Sequence, residues 1–105
     1  MPLTFEATQS GTDNGMSGTA TAMDADPVHY VLYGKDADGV YFEFDDQSRG
    51  AYGRVSSVVL ADDIVRFDLT DGDRITVKKQ MDDSGWSHFL TTIRETFGAA
   101  VSQVE

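Results

Sequence analysis

The stretch Val40-Tyr41-Phe42-Glu43-Phe44-Asp45-Asp46 alternates apolar and polar side chains with a period of two. A β-strand sends successive side chains to opposite faces, so Val40, Phe42 and Phe44 share one face and Tyr41, Glu43 and Asp45 the other. That is the mark of a strand half buried in an antiparallel sheet, with one face in the core and one open. Upstream, Val28 to Tyr33 has the β-branched and aromatic bias of a second strand. The turn-forming residues from Gly34 to Gly39 join the two as a hairpin.

Working outward, Gln47 to Arg54 contains Gly50 and Gly53 and is expected to be a loop. Ser57 to Leu60 and Ile64 to Leu69 read as strands joined across Asp62 and Asp63, with Val65, Phe67 and Leu69 inside and Arg66 and Asp68 outside. Asp71-Gly72-Asp73 signals a tight turn of the kind in which both central residues take positive φ, and Ile75 and Val77 carry the core onto the next strand. Trp86, Phe89, Leu90, Ile93 and Phe97 then fall at helical spacing and form one stripe. Asp82, Asp83 or Ser84 is placed to cap that helix at its start and Gly98 to stop it. Towards the N-terminus, Leu3 to Phe5 suits an edge strand. Gln9 to Asp26 is almost entirely small and polar, with Met16 and Met23 its only large apolar side chains. It is expected to be a mobile loop or a weakly ordered segment, with Met16 to Met23 as the alternative for a partly ordered strand.

These patterns predict a single α+β domain over residues 1–105: an antiparallel meander of about four to six strands with one C-terminal amphipathic helix packed on one face. The length of 105 residues and an apolar fraction of 40% suffice for one core. No apolar run reaches the length needed to cross a bilayer, and the start MPLTFEATQSGTD lacks a basic-then-apolar leader pattern, so no membrane partner or export is expected.

The net charge is −10, from 18 acidic and 8 basic residues. Such a surface repels phosphates, so direct binding to nucleic acid is not expected; a basic protein surface suits it. The asymmetry is local. Residues 1–46 hold nine acids and one base, and the remainder nine acids and seven bases. Tyr41, Glu43, Asp45, Asp46 and Gln47 bring carboxylates, an amide and a phenol to the open strand face or its exit. They could dock on Arg and Lys side chains with Tyr41 as an anchor. A solvated strand face is the plainer account of the same residues.

Other chemistry finds little support. With no cysteine, disulfides, thiolate zinc sites and thiol nucleophiles are excluded. His29 and His88 have no nucleophile or second acid placed beside them by any motif, so no catalytic residue is assigned and an enzyme is not expected. Asp36-Ala37-Asp38-Gly39 resembles the start of a calcium loop, but its flanks are strands and the later ligands are missing. Gly50 and Gly53 precede neither a Lys-Ser or Lys-Thr pair nor a helix. No metal and no cofactor is implied.

The run from Val40 through Arg54 to Val55, with Ser57-Val58-Val59-Leu60 and Val65-Arg66-Phe67-Asp68-Leu69, resembles the central segment of immunity family ten of bacterial polymorphic toxin systems. The matching positions are Glu43, Asp45, Asp46, Gln47, Gly50, Tyr52 and Gly53, and the likeness extends over residues 41–69. The resemblance implies a cytoplasmic antidote that binds a cognate toxin domain and blocks its active site or substrate entry. Its acidity suits a basic nuclease toxin. The toxin-binding candidates are Tyr41, Glu43, Asp45, Asp46 and Gln47, with Arg49 and Tyr52 from the following loop. Within the same resemblance, Glu43 could instead tie the Arg49 or Arg54 loop to the sheet, with Tyr52 packed on it. An acidic nucleic-acid-mimicking inhibitor of a defence nuclease and a generic protein-binding domain are the alternative readings. Unpaired strand edges are also compatible with a homodimer.

Overall fold

The computed structural model describes residues 3–13, 15–21 and 28–103, with the side chain of Gln47 outside that description. In chain order its elements are β1 (Leu3–Ala7), β2 (Gln9–Asp13), β3 (Met16–Ala20), β4 (Tyr30–Asp36), β5 (Gly39–Phe44) and β6 (Asp46–Tyr52). They continue as β7 (Val55–Ala61), β8 (Ile64–Leu69), β9 (Arg74–Lys79), helix α1 (Asp83–Phe97), a short 3-10 helix (Gly98–Ala100) and β10 (Val101–Gln103).

The class is α+β, as expected, but the strands are more numerous than predicted and form two sheets instead of one meander. The first sheet has the order β1-β9-β8-β7-β10 and the second β2-β3-β4-β5-β6. The second sheet is a pure antiparallel meander. In the first, β1 is an edge strand, as the sequence suggests, but it lies parallel to β9, and β10 lies parallel to β7 at the opposite edge. These two pairings join segments remote in sequence, and no local pattern announces them.

Two segments expected to be loops are strands. Residues 9–13 and 16–20 form the β2–β3 hairpin, although the composition suggested a loop, and β3 matches the described part of the alternative strand over Met16 to Met23; the expected segment beyond it, residues 22–26, lies outside the described residues. Hydroxyls take the place of apolar side chains on its inner side. Thr19 donates to the Gln9 carbonyl (2.6 Å), the Thr12 and Ser17 hydroxyls pair at 2.9 Å, and Ser10 donates to the Gly85 carbonyl on α1 (2.9 Å). Ser17 and Thr19 are buried by this packing. The second case is residues 46–52, expected to be largely loop and observed as β6, which pairs with β5 across a bulge. The Asp71–Asp73 turn also differs from expectation: only Gly72 has positive φ (93°), and Asp71 accepts a bond from the Asp73 amide (3.0 Å).

The inner faces of the sheets meet in one aromatic core. Phe42 of the second sheet and Phe67 of the first lie 5.0 Å apart between ring centroids. Phe97 of α1 touches both, as well as Tyr33. The predicted helical stripe is correct: Trp86, Phe89, Ile93 and Phe97 are buried and Leu90 packs at the margin. Asp82 caps the helix, accepting a bond from the Gly85 amide, and Gly98 ends it with φ 52°. The helix therefore packs against both sheets and not on one face of a single sheet.

Candidate functional site

Register and alternation determine what the outer face of the second sheet presents. On β4 the side chains of Val31 and Tyr33 point inward, so Tyr30, Leu32 and Asp36 point outward with Gly34 between them. On β5 the same rule turns Tyr41 and Glu43 outward and buries Phe42 and Phe44, as the sequence predicted.

The environment of Glu43 departs from the expected open face. Glu43 is only 7% exposed. Its carboxylate accepts the hydroxyl of Tyr30 on one oxygen and that of Tyr41 on the other, the latter at 2.7 Å. Leu32 is its register partner on β4. One phenol from the neighbouring strand, Tyr30, and one two residues away on the same strand, Tyr41, thus cover an acid that single-strand alternation would leave in water. Burial, and then the bond to Glu43, push the Tyr30 hydroxyl above its ordinary pKa; the bond to Glu43 is the main cause of a similar rise for Tyr41. Both phenols therefore stay protonated and keep donating. Neither Arg49 nor Arg54 reaches Glu43: both guanidinium groups lie over the Phe44 ring, each 5.3 Å from its centroid.

The other candidates spread over the end of the sheet. Asp45, in left-handed backbone conformation (φ 61°), turns the chain from β5 into β6. Its carboxylate accepts the His29 Nδ1 hydrogen bond (2.8 Å) and the Tyr30 amide (3.1 Å). His29 in turn stacks on Phe5 of the first sheet. Asp45 thus pins a corner where the two sheets approach, and is not an open acid. Asp46 is exposed and accepts the Ser48 amide (2.9 Å), the main cause holding its carboxyl below the usual range.

Tyr52 is 47% exposed, packs edge-on against Tyr41 (5.6 Å) and donates to Asp36 (2.6 Å). Gly50 makes room for this arrangement, because a Cβ there would come within 1.9 Å of the Tyr41 hydroxyl. The structure therefore brings Tyr41 and Tyr52 together, with Tyr30 and Asp36 as partners that sequence reasoning missed; Asp45 and Arg49 turn elsewhere, and the Gln47 side chain lies outside the described residues. Tyr30 could have been found from its place opposite the acid strand, but only once the hairpin register was known.

The remaining polar candidates are engaged structurally. The His88 Nε2 and the Thr12 hydroxyl lie 3.0 Å apart. Asp36 accepts the Asp38 amide within the hairpin turn. No group of three or more potential metal ligands forms among the described residues.

Charge divides between the sheets. The second sheet's outer face carries Asp13, Asp36 and Glu43 and, among the described residues, no cation; Lys35 alternates to the other side and Arg49 turns to Phe44. The outer face of the first sheet carries Arg66, Arg74 and Lys78 beside Glu6 and Asp68. There Asp68 binds Arg74 (3.0 Å), Arg66 (3.2 Å) and Ser57 (3.1 Å). Burial works against its charge, but these donors outweigh it and hold its carboxyl below the usual range.

Comparison with models of protein families, with curated proteins and with solved structures finds no match to this chain.

Proposed function

We propose that this chain is an antidote that neutralises a cognate toxin domain by covering its active site or substrate entry with the outer face of the second sheet. The observation that carries the reading is the division of charge: one broad sheet face holds acids and partly exposed aromatic rings without a cation among the described residues. A basic protein surface is the natural complement of such a face, and the long-range field speeds its approach. Tyr41 and Tyr52 supply rigid aromatic area of the kind that anchors interfaces, and their hydroxyls are already satisfied within the chain. The resemblance over residues 41–69 supplies the toxin as the partner class, with a basic nuclease as the form that suits the charge and the cytoplasm as the place of action.

In this reading Glu43 and Asp45 shape the face and Tyr41, Asp46 and Tyr52 touch the partner. The test is to express the chain beside the toxic C-terminal domain encoded immediately upstream of it, scoring survival and co-purification. Rescue with a stable complex, weakened by Tyr52→Ala combined with Asp46→Lys, is expected. The absence of both rescue and complex would refute the antidote.

A further inference from the structure

Beside the tyrosine cluster, the same sheet face carries a shallow trough of about 590 Å³. Its course follows from the register. Gly11 of β2 lies opposite Gly18 of β3, Gly18 opposite Leu32 of β4, and Leu32 opposite Glu43 of β5. One row of side chains across four strands is therefore glycine, glycine, leucine and a covered carboxylate. The rows on either side are taller. Gln9, Ala20 and Tyr30 form one wall, and Asp13 and Met16 the other. The Met16 sulfur lies over Gly34, where a Cβ would come within 2.5 Å of it, so that wall is packed in place.

The two glycines of the floor differ in kind. Gly18 has a structural reason to lack a side chain: a Cβ there would meet the Val31 carbonyl oxygen at 2.2 Å. Gly11 has none. A Cβ at Gly11 would touch nothing within 4 Å, and its φ is outside the left-handed range. Glycine inside a strand weakens it, through backbone entropy and the missing side chain. The fold therefore carries at Gly11 a residue it does not need, at a place where any larger side chain would stand in the trough.

We infer that this trough seats an arginine or lysine side chain presented by a protein partner, its aliphatic stem along Gly11, Gly18 and Leu32. Charge complementarity selects the occupant: the floor and the Ala20 and Met16 walls are apolar, whereas the exposed charge on the trough's lining, Asp13, is negative, and this face has no cation among the described residues. A long cationic side chain satisfies both, since its stem covers apolar surface while its head meets the Asp13 carboxylate. The inference rests on the reading of this face as protein-binding and names what the face selects.

The test needs no toxin. Amide shifts of the full chain are followed by NMR on titration with N-acetyl-arginine amide, with the citrulline and norleucine amides as neutral and apolar controls. Saturable shifts centred on Gly11, Gly18 and Leu32, with a millimolar dissociation constant, are expected for the arginine probe and weaker ones for the controls. Gly11→Val should keep the folded spectrum, hold or raise Tm, and weaken the probe at least about tenfold. Asp13→Asn, at an exposed position, should weaken the arginine probe and leave norleucine unaffected.

Equal shifts from norleucine would overturn the cationic occupant. Shifts that do not saturate, that spread over all surface carboxylates or that survive Gly11→Val would overturn the trough. Toxin rescue with a silent trough would sink this inference alone, whereas a saturable trough in a chain that rescues no cell would sink only the antidote.

Discussion

Replacing Glu43 by Ala tests whether the acid organises the aromatic face. The carboxylate is buried and accepts two phenol hydroxyls. Hydrogen bonds to a charged group contribute about 1.5–3 kcal/mol each, offset here by the carboxylate's return to water no longer being lost on folding and by rehydration of two half-buried phenols. A net destabilisation of about 3 kcal/mol follows. With a urea slope of about 1.5 kcal/mol per molar for a domain of this size, the midpoint falls by about 2 M. Glu43→Gln keeps the shape and one acceptor oxygen, and is expected to cost about half as much.

The assay is urea unfolding followed by the fluorescence of Trp86, the single and buried tryptophan, alongside far-UV circular dichroism. Tyr41→Phe adds a control: it should cost about 1–2 kcal/mol in the parent and little in the Glu43→Ala background, because the two act through one bond. A midpoint for Glu43→Ala within the error of the parent, or additive effects of the two changes, would refute the reasoning.

The glycines give a graded pair. Gly18→Ala sets a Cβ against the Val31 backbone oxygen, which cannot rotate away, and is expected to cost about 2–3 kcal/mol, whereas Gly50→Ala displaces only the Tyr41 ring and should cost about 1–2 kcal/mol through the lost Glu43 bond; urea midpoints rank them. Asp82→Ala removes the helix cap and should lower stability by about 1 kcal/mol, read in the same way. For Asp68 the folded-state pKa is depressed, so its contribution is present above the unfolded value of about 4 and is lost as pH falls through the lower folded value. Stability measured from pH 6 downward should therefore decline less steeply in Asp68→Asn than in the parent, and equal slopes would contradict the assignment.

If the proposed antidote reading holds, the covered acid has a mechanical use. A bare carboxylate on a long side chain would be mobile, whereas Glu43 held by Tyr30 and Tyr41 keeps both rings in fixed positions at almost no further entropy cost on binding. The exposed ring of Tyr52 is ordered in the same way through Asp36, whose carboxyl that bond holds below its usual range.

Local chemistry was enough to read the β4–β5 hairpin, the strands from β7 to β9, the helical stripe from Trp86 to Phe97, its caps and the edge position of β1. In each, the periodic burial of large apolar side chains is written directly in the residue order. It was not enough for β2 and β6, and gave β3 only as an alternative to a loop, because there Ser and Thr hydroxyls or a glycine seat under Tyr41 do the work of apolar packing and leave no hydrophobic period to detect. Nor did it reveal that β1 and β10 join a sheet through parallel partners far away in the chain. The candidate face divides along the same line. Alternation placed Tyr41 and Glu43 on the outer side of β5, but whether an outward acid meets water depends on what stands across the strands. Only tertiary register brings Tyr30 beside Glu43, gathers Gly11, Gly18 and Leu32 into one row, and separates the cations of one sheet from the acids of the other.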